Sequence, residues 1–308
     1  MREFDAIAVF VAVMLLVGVV AKNPFVLNML SVAAITSIVV IGLNILSGFA
    51  GQISLGHAGF VGLGAYISAI LSIKFGLSPW ISMFITAFIV GLVSLFVAYP
   101  TLKLKGHYLA MATLAIGEII YMLANNLSSI TGGHQGLVGI PMLSIGGFVF
   151  DNERKFYFFI WVLVFAFAFI AKNITSSAFG RALKTTNLAE QAALSFGINT
   201  HKYKIIAFVI SCIYASFAGS LFAFYIGFIS PTSFSLLKSI NYVVMMFVGG
   251  MGSIFGGLVM AVFLEVIPNL ITSLQDYWPI FNGLLLVVMV MFMPEGLGGF
   301  VRWKKRQY

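Results

Sequence analysis

Only one cysteine, Cys212, and four histidines occur in the 308 residues. Cys212 lies inside an apolar run, so a disulfide framework and a cysteine-held metal centre are both excluded. His57, His107, His134 and His201 fall in separate stretches, without the spacing a metal site needs. A membrane-embedded enzyme needs paired carboxylates, clustered histidines or a serine with its base, and these histidines offer no such cluster. The phosphate-loop pattern G-x-x-x-x-G-K-[ST] is missing, so the chain is no ATPase by that motif. Charge is scarce as well. Charged residues make up 8% of the chain, against about a quarter in a soluble domain.

What fills the chain instead is apolar: 61% hydrophobic residues and a mean hydropathy of +1.07. A membrane span needs roughly 20 apolar residues, and the runs divide into about ten. They cover residues 6–21, 26–46, 55–73, 80–101, 108–127, 156–171 and 205–229. The long run 239–267 splits in two near Gly250, and the last run is 280–293. The expected fold is all-α: a polytopic membrane protein forming one transmembrane domain over 1–308. Glu3 and Asp5 spoil the positive flank of a signal peptide, so the first run reads as a retained span. The net charge of +8 sits at the ends of apolar runs. That placement sets topology and gives no reason to expect nucleic acid.

Positive residues concentrate on the cytoplasmic side of membrane proteins. Placing the tail with Arg302, Lys304, Lys305 and Arg306 inside puts Lys103, Lys105 and the stretch 172–204 inside too. Both termini are then cytoplasmic. The polar loop at about 128–155 falls outside, together with Lys22, Lys74, Lys238 and Asp276. Small residues at four-residue spacing mark where helices approach closely in lipid. Ala58, Gly62, Ala65 and Ala69 form one such stripe. Ala215, Gly219 and Ala223 form another, and Gly252 and Gly256 a third.

Residues at about 173–204 make the longest plainly water-soluble, helix-forming stretch. After Gly180 the composition predicts a helix running to a stop at Gly197. Ala182, Ala189, Ala193 and Phe196 fall on one side of it, and Arg181, Lys184, Gln191 and Ser195 on the other. Such a helix is either a solvated connector or a lever for a soluble partner. QAALSFG, Gln191 to Gly197, resembles the EAA-x-x-x-G motif of the membrane subunits of ABC importers. Gln191 stands for the leading Glu with Glu190 beside it, and Ala192, Ala193 and Gly197 match. In that family the motif is the coupling helix seated in the ATPase subunit.

Further fragments carry a wider resemblance. GLNILSGFAGQISLGHAGFVGLGAY, starting at Gly42, is similar to permeases for branched-chain amino acids. HYLAMATLAIGEI, TGGHQGL, GFISPTSFSLLKSI, GGMGSIFGG and MPEGLGG resemble the M-type (LivM) subunits in particular. The resemblance runs in order over nearly the whole chain. It implies an inner-membrane permease subunit that binds no cofactor itself. Its implied partners are a homologous H-type permease, two ATP-binding subunits that use ATP, and a periplasmic binding protein. The implied substrate is leucine, isoleucine or valine. Similar permeases carry urea or short amides, and an ion-coupled secondary transporter is the remaining class. Against that last class, Glu118 has no partner cation within the spans.

Within the membrane, ionisable groups are expensive and mark function by default. Glu118 reads either as a pathway-facing group or as an acceptor for a neighbouring helix. Glu265, near Pro268, is expected to reach interfacial water. His57 reads either as packed or hydrogen-bonded near the inner end of its span or, with Gln52, Ser54 and Glu118, as lining the pathway. The glycine-rich segment 47–57 is either a pathway-lining break or a cytoplasmic turn. In the first case Gln52, Ser54 and its amides would suit a zwitterion with an apolar side chain.

Overall fold

The structure is a computed structural model that describes residues 2–145, 148–150, 152–270 and 277–292. The basic tail with Arg302 to Arg306, MPEGLGG at 293–299 and Asp276 lie outside the described residues. Chain order begins with α1 (Arg2–Val20), α2 (Pro24–Leu43), a π-turn (Asn44–Phe49), α3 (His57–Phe75), α4 (Pro79–Thr101), α5 (His107–Asn126) and the short α6 (Ser128–Thr131). Then come α7 (Glu153–Ser176), α8 (Ala178–Leu188), α9 (Glu190–Ser195), α10 (Thr200–Ile226), α11 (Leu236–Gly249), α12 (Ile254–Leu270) and α13 (Trp278–Phe292). Among the described residues, four two-residue strands pair antiparallel, β1 (Leu137–Val138) with β4 (Phe228–Ile229) and β2 (Ser144–Ile145) with β3 (Phe148–Val149). Among the described residues, 8 helices are long and apolar enough to cross a membrane, and Ile254–Leu270 is a shorter apolar helix. With α13 this reproduces the expected order of spans. The protein is an all-α, multi-pass membrane protein.

Local chemistry sets the helix limits. Asn23 accepts the Phe25 N–H at 3.0 Å ahead of Pro24, which opens α2. Asn199 accepts the Lys202 N–H at 3.1 Å and opens α10. That helix stops at Gly227, whose φ of 73° is left-handed.

The chain forms two compact units. The first contains Met1–Gly51, Glu153–Ile198 and Asn241–Tyr308. Its centre is α2, buried along nearly all its length, with Ala33, Ala34, Ile38, Val40 and Ile41 at or near zero exposure. Ser31 and Ser37 donate back to the carbonyls of Leu27 and Ala33 at 2.8 and 2.7 Å, which removes their need for outside partners. The ring of Tyr157 on α7 fills the space beside Gly18, and its hydroxyl donates to the Met14 carbonyl of α1. Phe10 meets Trp161 edge-on at 6.1 Å.

The second unit contains Gln52–Asn152 and Asn199–Ile240. Here α3 is central. A Cβ on Gly64 would run into the Ser216 backbone, and one on Gly219 into the Val61 carbonyl. The Ala215–Gly219–Ala223 stripe therefore meets α3 backbone to backbone at Val61, Gly64 and Ala65, whereas Gly62 of the expected α3 stripe faces Phe234 instead. Ser220 donates to the Gly64 carbonyl at 3.1 Å across the same seam. On the other side of α3, Gly59 and Gly117 meet in the same way against α5.

Candidate functional site: the soluble corner and the embedded polar groups

The helix expected from Gly180 to Gly197 is two helices. It breaks at Ala189, whose φ of −154° and ψ of 86° are extended. The residues before the break, Thr185, Thr186 and Asn187, are weak helix formers. Thr185 and Thr186 return their hydroxyls to the carbonyls of Arg181 and Ala182 at 3.0 and 2.9 Å. The second helix, α9, ends in a Schellman closure. The Gly197 N–H donates to Leu194 O at 2.9 Å and the Ile198 N–H to Ala193 O at 3.0 Å. Gly197 itself has a φ of +75°, which strains any side chain although open space surrounds it.

The break rearranges the amphipathic faces. Ala182 and Ala193 are buried as the spacing suggests, but Ala189 and Phe196 are exposed. Leu188 is 87% exposed, Phe196 81% and Leu194 49%. Three large apolar side chains thus stand in the open beside the exposed Arg181, Lys184, Asn187 and Gln191. Of the residues in the expected motif, Gln191, Ala192 and Gly197 are exposed, Ala193 is sealed and Glu190 is half-buried. Arg181 is exposed and donates to the Ser176 carbonyl at 3.1 Å, where α7 turns into α8. Sequence reading missed Leu188 and Leu194. The available signal was the run Thr185–Asn187 of β-branched and Asx residues just ahead of Leu188, which ends the first helix there.

In the membrane-embedded region, Ser54 and His57 come together. His57 is wholly buried, with Nδ1 2.8 Å from Ser54 Oγ and Nε2 2.6 Å from Ser211 Oγ. Phe60 and Phe208 pack around the ring, each with its centroid 6.2 Å away. The Leu55 N–H donates to Thr113 Oγ1 at 3.1 Å, and the Ala58 N–H to Ser239 Oγ at 2.9 Å. These side chains satisfy amides that the non-helical stretch before α3 leaves open. Gln52 lies at the start of this stretch, half-buried.

Glu118 stands apart from that cluster, half-exposed on α5. Around it Met111, Ile119 and Met122 are 66%, 56% and 54% exposed. Its carboxylate has no hydrogen-bond partner among the described residues. Glu265 differs from expectation. It is 9% exposed, accepts from Thr36 Oγ1 at 3.4 Å, and its carbonyl accepts from Asn269 Nδ2 at 2.8 Å. Packing of α12 on α2 covers it, so it does not reach interfacial water. Beside α3 and α5 lies a cavity of about 190 Å³ lined almost wholly by carbon, including Gly62, Tyr66, Ile120, Tyr121, Thr131 and Phe234.

Residues 25–293 match the family described as branched-chain amino acid transport system / permease component. The chain belongs to that family. The permease is 32% identical over 292 residues to the high-affinity branched-chain amino acid transport system permease protein LivM of Escherichia coli K12. The match covers 86% of this chain and 69% of that protein. It is 24% identical over 295 residues to LivH of the same organism, covering 88% of this chain and 94% of LivH. A solved chain described as an inward-facing metal-chelate type ABC transporter aligns with a TM-score of 0.48 and 16% identity, covering 94% of this chain and 99% of that one.

Proposed function

We propose that this chain is the M-type permease subunit of an ATP-driven importer for leucine, isoleucine and valine. In this reading it forms half of the pathway beside an H-type permease. Two ATP-hydrolysing subunits sit inside, and a periplasmic binding protein delivers the solute outside. The observation that carries the reading is the exposed trio Leu188, Leu194 and Phe196. Open apolar side chains on a soluble corner call for a partner surface. Arg181, Glu190, Gln191, Ala192, Ala193 and Gly197 share that corner and form the coupling helix. The chain binds no cofactor itself. ATP is spent next door.

Topology supports the same arrangement. Lys103, Lys105, Lys172, Arg181, Lys184, Lys202 and Lys204 share one side, which charge bias makes cytoplasmic, with both termini. The 128–155 loop and the Ser230–Ser235 turn, opposite, receive the binding protein. Glu118, an embedded acid on an open helix face, needs either water or a second chain to complete it. We assign that face to the pathway shared with the H-type permease. Gln52, half-buried, lies at the inner end of the pathway wall, and the sealed Ser54 and His57 behind it hold that stretch in place. The carbon-lined cavity beside α3 is the kind of surroundings a branched aliphatic side chain enters.

Reconstitution tests this. The chain is purified with and without the co-expressed ATPase pair, H-type permease and binding protein, and leucine uptake into liposomes is measured. Uptake that needs all partners and ATP supports the reading. Uptake by this chain alone overturns it in favour of a secondary transporter.

A further inference from the structure

The soluble segment α8–α9 does not hang free of the embedded helices of its own unit. The ammonium of Lys184 lies 5.0 Å over the ring of Phe49. Asn187 Nδ2 donates to the Gly48 carbonyl at 3.5 Å, and the Asn187 side chain fills the place a Cβ on Gly51 would take. Phe49 and Gly48 belong to the π-turn. Gly48 in turn presses on the backbone of Gly252, where a Cβ on Gly48 would collide. Gly252 lies in the non-helical break between α11 and α12.

One side chain ties the π-turn to that break. Asn44, wholly buried, opens the π-turn. Its Nδ2 donates to Ser253 O at 2.8 Å and to Gly250 O at 3.4 Å, and its Oδ1 accepts from the Gly252 N–H at 2.8 Å. The Gly252 N–H finds its acceptor in Asn44, while Ser253 O and Gly250 O accept from Asn44 in addition to the Gly257 and Ser253 N–H groups, each at 3.2 Å. On the opposite side Glu3 accepts from the N–H groups of Ile254 and Phe255 at 3.1 and 3.5 Å, and pairs with Lys172 near the end of α7. Both grips on the 250–255 break therefore lead back to the base of the soluble segment.

A π-turn is a discrete device. It holds one residue more than the α-helical turn it replaces. Returning it to α-helix rotates the downstream chain by about 100° and shifts it by about 1.5 Å along the axis. Interfaces packed this tightly switch between arrangements instead of deforming smoothly.

We propose that the π-turn Asn44–Phe49 is the relay by which displacement of α8–α9 reaches the Gly250–Ser253 break, with Asn44 as the positioning residue. This rests on reading α8–α9 as the ATPase-coupling segment. The relay transmits motion in both directions. Movement of the corner releases or renews the Asn44 grip, and α12 tilts with the break.

The test uses the complete complex in liposomes, with leucine uptake and ATP hydrolysis measured side by side. Asn44→Ala is expected to assemble and to keep hydrolysis within about twofold, while uptake falls at least tenfold. Asn44→Asp keeps the acceptor for the Gly252 N–H and is expected to restore part of the uptake. A merely structural Asn44 would lower both activities together, at an unchanged ratio of solute to ATP, and that result overturns the proposal. Should Asn44→Ala fail to assemble, Lys184→Ala with Asn187→Ala probes the exposed end of the relay, where folding is insensitive. A fall of about threefold in solute carried per ATP is expected there, and an unchanged ratio overturns the proposal. Failure of the underlying reading looks different, because the unmodified chain would then transport without the ATPase.

Discussion

The two units hold their central helices in opposite ways. In the second, α3 and α10 are locked through glycine, with Gly64 and Gly219 each against the other helix's backbone. In the first, α2 is held by polar side chains. Asn44 grips the 250–253 break, Thr36 reaches Glu265, and Glu3 caps the start of α12. A glycine seam admits one arrangement, since any slide drives backbone into backbone. Hydrogen bonds between membrane helices average only about 0.6 kcal/mol each and can be remade with new partners. The first unit has close glycine contacts of its own, Gly48 on Gly252 and Gly249 on Gly256, but it adds exchangeable polar grips beside them, and the proposed relay uses those grips. The α8–α9 corner belongs to that unit.

The largest break in that contrast comes from Gly219→Leu. Its Cβ meets the Val61 carbonyl, and overpacking of this kind costs about 1–3 kcal/mol or more. Loss of folded protein in detergent, by size-exclusion chromatography, is the expected outcome. A stable, monodisperse variant would mean that the seam yields. Next comes the corner. Phe196→Asp with Leu188→Asp is expected to weaken ATPase co-purification by at least tenfold, about 1.4 kcal/mol, while membrane insertion is unchanged. Gly197→Ala places a side chain at φ +75° and is expected to cost about 1–2 kcal/mol. Uptake should fall through a frayed α9, with less loss than in the aspartate pair. The smallest effect belongs to Ser72→Ala, which removes the 2.9 Å bond to Ser82. Thermal unfolding should register a loss of about 0.6 kcal/mol, the mean for a bond between membrane helices, with uptake untouched.

Composition and spacing made the spans, their order and the close-packing face of α10 legible, but neither its partner helix nor the part Gly64 plays in place of Gly62. Small residues four apart have one main use in lipid. The break near Gly250 was legible for a similar reason, since GGMGS cannot continue a helix well. The π-turn was not legible. Asn44 looks like one polar residue lost in an apolar run, and its three partners lie 206 to 209 residues away in sequence. Its signal was indirect: an amide in a span must find donors and acceptors inside the protein. Glu265 was misplaced because Pro268 suggested a helix end, whereas α12 continues through that proline. The apolar corner was half-legible. Helical spacing alone sent Phe196 inward, and the extended Ala189 turned it out.

A cysteine in place of Phe196, in a chain whose own Cys212 is buried, gives the most direct measurement. With the ATPase co-expressed, a bifunctional thiol reagent should join the two chains, and a membrane-impermeant thiol label added to intact cells should not reach the site. Labelling from outside, or no adduct with the nucleotide-hydrolysing subunit, would contradict a corner that receives force on the inner side.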